Sequence, residues 1–105
     1  MTLEDELTSA LRGTYEAARA RGYIATYFIQ MLEEYGGLET AKRLLAVSEP
    51  QTGLYKLWEL HLLNESMEAV VLQERFRSLF TQAEMNEARR RLEESTQTLT
   101  ALVEP

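Results

Sequence analysis

The amino-acid sequence predicts an all-α protein, a single compact bundle of about six helices that ends in a long C-terminal helix. Helix-favouring residues such as Leu, Ala, Glu and Arg are abundant, whereas there are only two prolines and five glycines. Apolar residues recur at intervals of three and four along most of the chain, which is the spacing of one helix face. The length of 105 residues suits one domain with its own core.

The first two predicted helices each carry an apolar stripe, and each ends at a glycine. Residues 3–19 carry an apolar position every three or four residues, and Gly22 is a suitable C-terminal cap. Residues 24–35 carry a broader stripe, which stops at Gly36 and Gly37. Because glycine tolerates a left-handed backbone, this pair predicts a sharp turn.

Three shorter helices are predicted next. The stretch "LETAKRLLAV" restarts a helix over 38–47, and Pro50 lies in the loop after it. Residues 53–63 are apolar around nearly the whole circumference, which predicts a buried helix. Ser66 can cap a short helix over 67–73, and "ERFRSLF" adds a helical turn or two.

The last helix should begin near Gln82, because Thr81 and Glu84 have the spacing of a capping box. Two rows along it repeat every seven residues: Met85, Leu92 and Leu99, and Ala88, Ser95 and Leu102. This coiled-coil-like seam can pack on its own domain or on a second copy, and both alternatives stay open. The chain is therefore divided into a helical domain, 1–92, and a C-terminal helix extension, 93–105, that is a candidate dimerisation seam.

The only tryptophan and the only histidine lie three positions apart, at Trp58 and His61. We interpret Trp58 as a core residue and His61 as a residue at the core edge. A nucleophile or zinc site needs partner residues, and the chain has no cysteine and no second histidine. No catalytic residue, metal or cofactor is therefore expected. The predicted core consists mainly of Tyr27, Phe28, Met31, Leu32, Leu57, Trp58, Leu60, Val70 and Leu72, closed at one end by Phe76, Leu79 and Phe80.

The net charge of −6 argues against general affinity for nucleic acid, although a local basic patch is compatible with it. The N-terminus lacks the pattern of a secretory signal, and no apolar run reaches the length of a membrane span. We therefore expect a cytoplasmic protein without a membrane segment.

Arg89, Arg90 and Arg91 form the one basic cluster that the sequence singles out. Acidic residues four positions away can offset much of its charge: the pairs are Glu87–Arg91, Arg89–Glu93 and Arg90–Glu94. A solvated helix face is the first interpretation, and contact with an acidic partner or RNA is the second. The candidate partner contacts are Arg89, Arg90, Arg91, Leu99 and Leu102.

Residues 22–92, about two thirds of the chain, resemble a family of small bacterial all-helical domains without an established function. The resemblance lies in "GGLETAKRLL", "TGLYKLWEL", "SMEAVVL" and "LFTQAEMNEARRRL". It implies a domain that occurs alone or fused to other domains, often of nuclease- or defence-related proteins, and it implies no catalytic residue. Relatives often follow "LWEL" with a Gly-Arg-Leu turn, where this chain has His61-Leu62-Leu63.

Two hypotheses for function are favoured, and an enzyme is the third, which the absence of a catalytic set disfavours. The first is a non-enzymatic helical protein-interaction module, an adaptor or accessory subunit, whose partner is another protein or a second copy of the chain. The alternative is a nucleic-acid-associated or DNA-mimicking accessory protein of a defence or mobile-element system. It depends on the arginine cluster, on the acidic charge and on the nuclease- and defence-related proteins in which the resembling domains often occur.

Overall fold

The computed structural model describes the backbone of residues 1–47 and 52–103 and the side chains of residues 1–47 and 53–96. Its α-helices and 3-10 helices are α1 (Leu3–Ala20), α2 (Thr26–Ala46), α3 (Thr52–Glu59), a 3-10 helix at Leu63–Glu65, α4 (Met67–Val71), a 3-10 helix at Glu74–Leu79, and α5 (Gln82–Val103). The described residues contain no strand. The predicted all-α fold and its long final helix are confirmed.

Both ends of α1 are capped by nearby residues. Thr2 and Asp5 form a capping box in which each side chain accepts the other's backbone N–H at 3.1 Å. At the other end Gly22 has φ +92°, and the N–H of Tyr23 donates to the Ala18 carbonyl at 2.9 Å. This is a Schellman cap, so the predicted role of Gly22 is confirmed.

A break at Gly36 divides α2 into two rods. Gly36 has φ 80° and ψ 172°, a region that is essentially reserved for glycine. The next residue, Gly37, is buried against α1, and its N–H donates to the Thr8 hydroxyl at 2.9 Å. The predicted turn at the glycine pair is confirmed, and it brings the second rod of α2 against α1.

His61, rather than glycine, terminates α3 in the left-handed conformation. Its φ is 61°, and its N–H donates to the Trp58 carbonyl at 3.0 Å. The Leu62 N–H donates to the Leu57 carbonyl at 2.8 Å, which completes the same cap that Gly22 makes. The helix therefore ends at Glu59, four residues before the predicted end, and the His61 side chain is exposed rather than at the core edge.

Two further caps that the sequence predicts are present. The Ser66 hydroxyl accepts the Ala69 N–H at 3.2 Å at the start of α4. At the start of α5, Thr81 and Glu84 exchange hydrogen bonds of 2.8 and 3.1 Å, as a capping box requires.

The core lies where α1, α2, α4 and α5 meet, and its fully buried residues include Leu7, Leu11, Leu32, Val71 and Phe76. The predicted core positions that are buried are Met31, Leu32, Leu57, Val70, Phe76 and Phe80. Several predicted core positions are only partly buried: Phe28, Trp58, Leu60, Leu72 and Leu79.

Three core predictions need correction. Tyr27 is 72% exposed, because it stands on the first turn of α2 at the rim of a cleft. Trp58 and Leu60 are only partly buried and lie outside the main core cluster. The core instead includes α1, whose Leu7 and Leu11 are 0% exposed.

Candidate functional site

A cleft of about 300 Å³ lies between the C-terminal part of α1, the start of α2, α3 and α4. Four aromatic side chains line it: Tyr15, Tyr23, Tyr27 and Phe28. Aliphatic side chains of α3, including Leu54 and Leu57, add to its apolar walls. A concave, mostly apolar surface with few polar groups is the usual form of a binding site in proteins.

One acidic residue, Glu68, is among the described residues that line this cleft. It comes from α4, and its side chain is only 5% exposed. Arg91 of α5 lies behind it, with Nη1 at 3.4 Å from Glu68 Oε2, and is also 5% exposed. Glu68 therefore connects the lining of the cleft to a buried ion pair.

Arg91 shares its guanidinium among partners from three parts of the chain. Its Nε donates to Glu87 at 2.6 Å, and its Nη2 donates to the Val47 carbonyl at 2.8 Å. Both contacts are shorter than the 3.4 Å contact to Glu68. Arg91 thus connects the cleft to α5 and to the end of α2.

The pKa values of the two carboxylates that face Arg91 are shifted in opposite directions. Glu87 accepts hydrogen bonds from Arg90 and Arg91, which lower the pKa of Glu87 from 4.5 to about 2. Burial raises the pKa of Glu68 above its ordinary value, and Arg91 offsets only part of that effect. The contacts of Glu68 therefore offset only part of the cost of burying its charge.

The predicted basic cluster is divided by the structure. Arg90 is on the surface and pairs with Glu87 and Glu94, each at 2.7 Å. Arg89 is exposed and donates to Asn86 at 3.1 Å rather than pairing with Glu93. The solvated-face interpretation is wrong for Arg91, because this side chain faces inward.

The first part of the predicted seam packs on its own domain. Met85, Ala88 and Ser95 are 8%, 0% and 5% exposed, and Leu92 is partly buried. The helix α5 continues through residue 92 without a break. The side chains of Leu99 and Leu102 lie outside the described residues, so their contact with a second copy stays a prediction.

Sequence reasoning missed that Glu68 and Arg91 are buried. The sequence does carry a signal for the burial of Arg91. Arg91 lies three residues after Ala88 and four before Ser95, which places all three on one helix face. That spacing indicates an inward arginine. Glu68 occurs in the apolar run "MEAVV", and its burial depends on Arg91, which is 23 residues away.

Other kinds of site receive no support from the described residues. Among them, no three or more His, Asp or Glu side chains are grouped as metal ligands. Within the same part of the chain, no helix is both long enough and apolar enough to cross a bilayer. No family model, curated protein or solved structure matches the chain significantly. The family resemblance of the sequence accordingly stays a prediction.

Proposed function

We propose that this protein is a non-enzymatic interaction module, an adaptor or accessory subunit, that binds a segment of a partner protein in the aromatic cleft. The exposure of two apolar side chains at the cleft rim carries the proposal: Tyr27 is 72% and Ile24 is 59% exposed. Aromatic side chains are enriched at protein interfaces, where their rings fill or border concave pockets. A partner segment that covered this rim would remove both side chains from water.

Charge favours a basic partner segment over an acidic one. The chain carries a net charge of −6, and Glu68 lines the cleft. Complementary charge guides encounter and disfavours wrong partners. The proposed partner segment therefore presents lysine or arginine among apolar residues, and the proposed location of the complex is the cytoplasm.

The nucleic-acid alternative has less support. Arg90 is paired with two glutamates, and Arg91 is directed into the interior. Because phosphate binding depends on basic side chains at the surface, the cluster offers little of the required charge.

A pair of photo-crosslinking variants tests the proposal in cells of the native host. Benzoylphenylalanine is placed at position 27, on the cleft rim, or at position 35 as a matched control. Tyr35 is also an exposed tyrosine of α2, at 38%, but it lies outside the cleft and stacks on Arg43. We expect position 27 to give an adduct with another polypeptide and position 35 to give little of it.

The crosslinked peptide decides the outcome. A peptide with a basic residue among apolar residues, found at position 27 and absent at position 35, supports the proposal. Equal adducts at both positions, or none at position 27, would overturn it. An adduct of twice the chain mass would also overturn it and favour a homodimer.

A further inference from the structure

We propose that the cleft recognises an ammonium group, the side-chain Nζ of a lysine or methylated lysine in the partner segment, between its aromatic rings and the Glu68 carboxylate. This inference rests on the proposed function and specifies the chemistry of its partner. It combines two features of the cleft, its rings and its buried acid.

The rings come from three separate parts of the chain. Tyr15 belongs to α1, Tyr23 to the connection after it, and Tyr27 and Phe28 to the first turn of α2. The face of an aromatic ring carries partial negative charge, so several rings around one volume attract a cation. Methylated ammonium groups suit such a site best, because they are weakly hydrated and fill an apolar volume.

The carboxylate supplies the full negative charge. Glu68 is 5% exposed, and Arg91 contacts it at 3.4 Å, whereas the shorter bonds of Arg91 go to Glu87 and to the Val47 carbonyl. A buried carboxylate with a shared counter-ion is stabilised by a second cation that approaches from the open side. An anionic group in the same place would meet repulsion from Glu68.

Three probes test this inference on the full chain: Nα-acetyl-lysine methylamide, its Nζ-trimethylated form, and a neutral analogue with carbon in place of the quaternary nitrogen. Binding is followed by amide chemical shifts. We expect the trimethylated probe to shift the amides of residues 23–28 and to bind about 10-fold more tightly than its carbon analogue. The two probes have the same shape, so the difference reports the charge.

Two variants assign the preference to the cleft. Glu68→Gln should reduce the preference for charge while keeping the carbon analogue bound, and the rings should supply the preference that remains. If that variant does not fold, Tyr27→Leu should reduce the preference by removing one ring from an exposed position. Tyr35→Leu is the matched control and should retain it.

Equal affinity for the charged and neutral probes, or no shift of cleft amides with any probe, would overturn the ammonium inference. Neither result bears on the crosslink at position 27, which tests the proposed function separately. A crosslinked partner peptide that contains arginine and no lysine would also overturn the ammonium inference while the proposed function stands.

Discussion

Thr8 of α1 caps the second rod of α2 from across the helix interface, because its hydroxyl accepts the Gly37 N–H at 2.9 Å. The same hydroxyl donates to the Glu4 carbonyl at 3.1 Å. A Cβ atom at position 37 would lie 2.7 Å from Thr8 Cα, which is too close for any side chain. The two helices therefore approach each other at a point where only glycine fits.

Gly37→Ala should lower the free energy of unfolding by about 2–3 kcal/mol, because the helices must separate and the Thr8 hydrogen bond weakens. Gly13→Ala is the matched control. Gly13 lies in the interior of α1 with nothing within 4 Å of an added Cβ, so its replacement should raise stability by about 0.5–1 kcal/mol. Urea denaturation measures both, and changes of the same sign would contradict the close approach.

His61→Gly should stabilise the protein by about 1 kcal/mol. His61 holds φ 61° as the cap of α3, a conformation that costs energy for a residue with a Cβ atom, and its exposed side chain loses little on removal. His61→Ala keeps the Cβ atom and should bring no gain. If thermal unfolding ranks the two variants equally, the left-handed cap is not the source of strain.

Phe76→Ala should cost about 3–5 kcal/mol, because Phe76 is 0% exposed in the main core. Trp58→Ala should cost less, about 1–2 kcal/mol, since a partly exposed side chain leaves no closed cavity. The comparison uses guanidinium denaturation of both variants. A larger loss for Trp58→Ala would restore the sequence-based interpretation of Trp58 as a core residue.

The protein should lose stability in acid as Glu87 becomes protonated. Its pKa is lowered from 4.5 to about 2 by hydrogen bonds from Arg90 and Arg91. A depressed folded-state pKa contributes stability that is full above pH 4.5 and is lost as the pH falls toward 2. With screening by solvent at Arg90, we expect this loss to be about 1–2 kcal/mol.

The comparison of wild type with Glu87→Gln isolates that contribution from those of other carboxylates. The stability difference between the two proteins should shrink between pH 5 and pH 2.5. A difference that stays constant over this range would show that Glu87 is not the responsible group. Glu68 should affect stability in the opposite direction, because its pKa is raised. Protonation of Glu68 in acid relieves the cost of burying its charge and so stabilises the protein.

The sequence predicted the features of the fold that depend on neighbours along the chain. The caps at Gly22, Ser66 and Thr81 require only residues three to five positions apart, and all three are present. The break at Gly36 follows from the freedom of glycine alone. Helix type and helix ends are local properties, which is why the all-α class could be predicted.

Apart from the end of α3, which lies four residues before its predicted position, the errors concern which apolar faces meet. Tyr27 and Leu7 both belong to predicted apolar stripes, yet one is 72% and the other 0% exposed. A stripe shows that a face can be buried, but the choice among faces depends on how distant helices pack. The candidate site is the part that the sequence predicts least well, because its rings, Glu68 and Arg91 come together only in the tertiary structure.

The bond from Arg91 to the Val47 carbonyl joins residues 44 positions apart, and it satisfies the C-terminal end of α2. On the ribosome, α1 and α2 are synthesised long before Arg91. This bond to the end of α2 therefore cannot form in the nascent chain until about the first half of α5 has emerged, and the order of synthesis delays completion of the fold to its last helix. The same dependence sets a minimum length for the protein, because a chain that stopped before residue 91 would lack the side chain that closes α2.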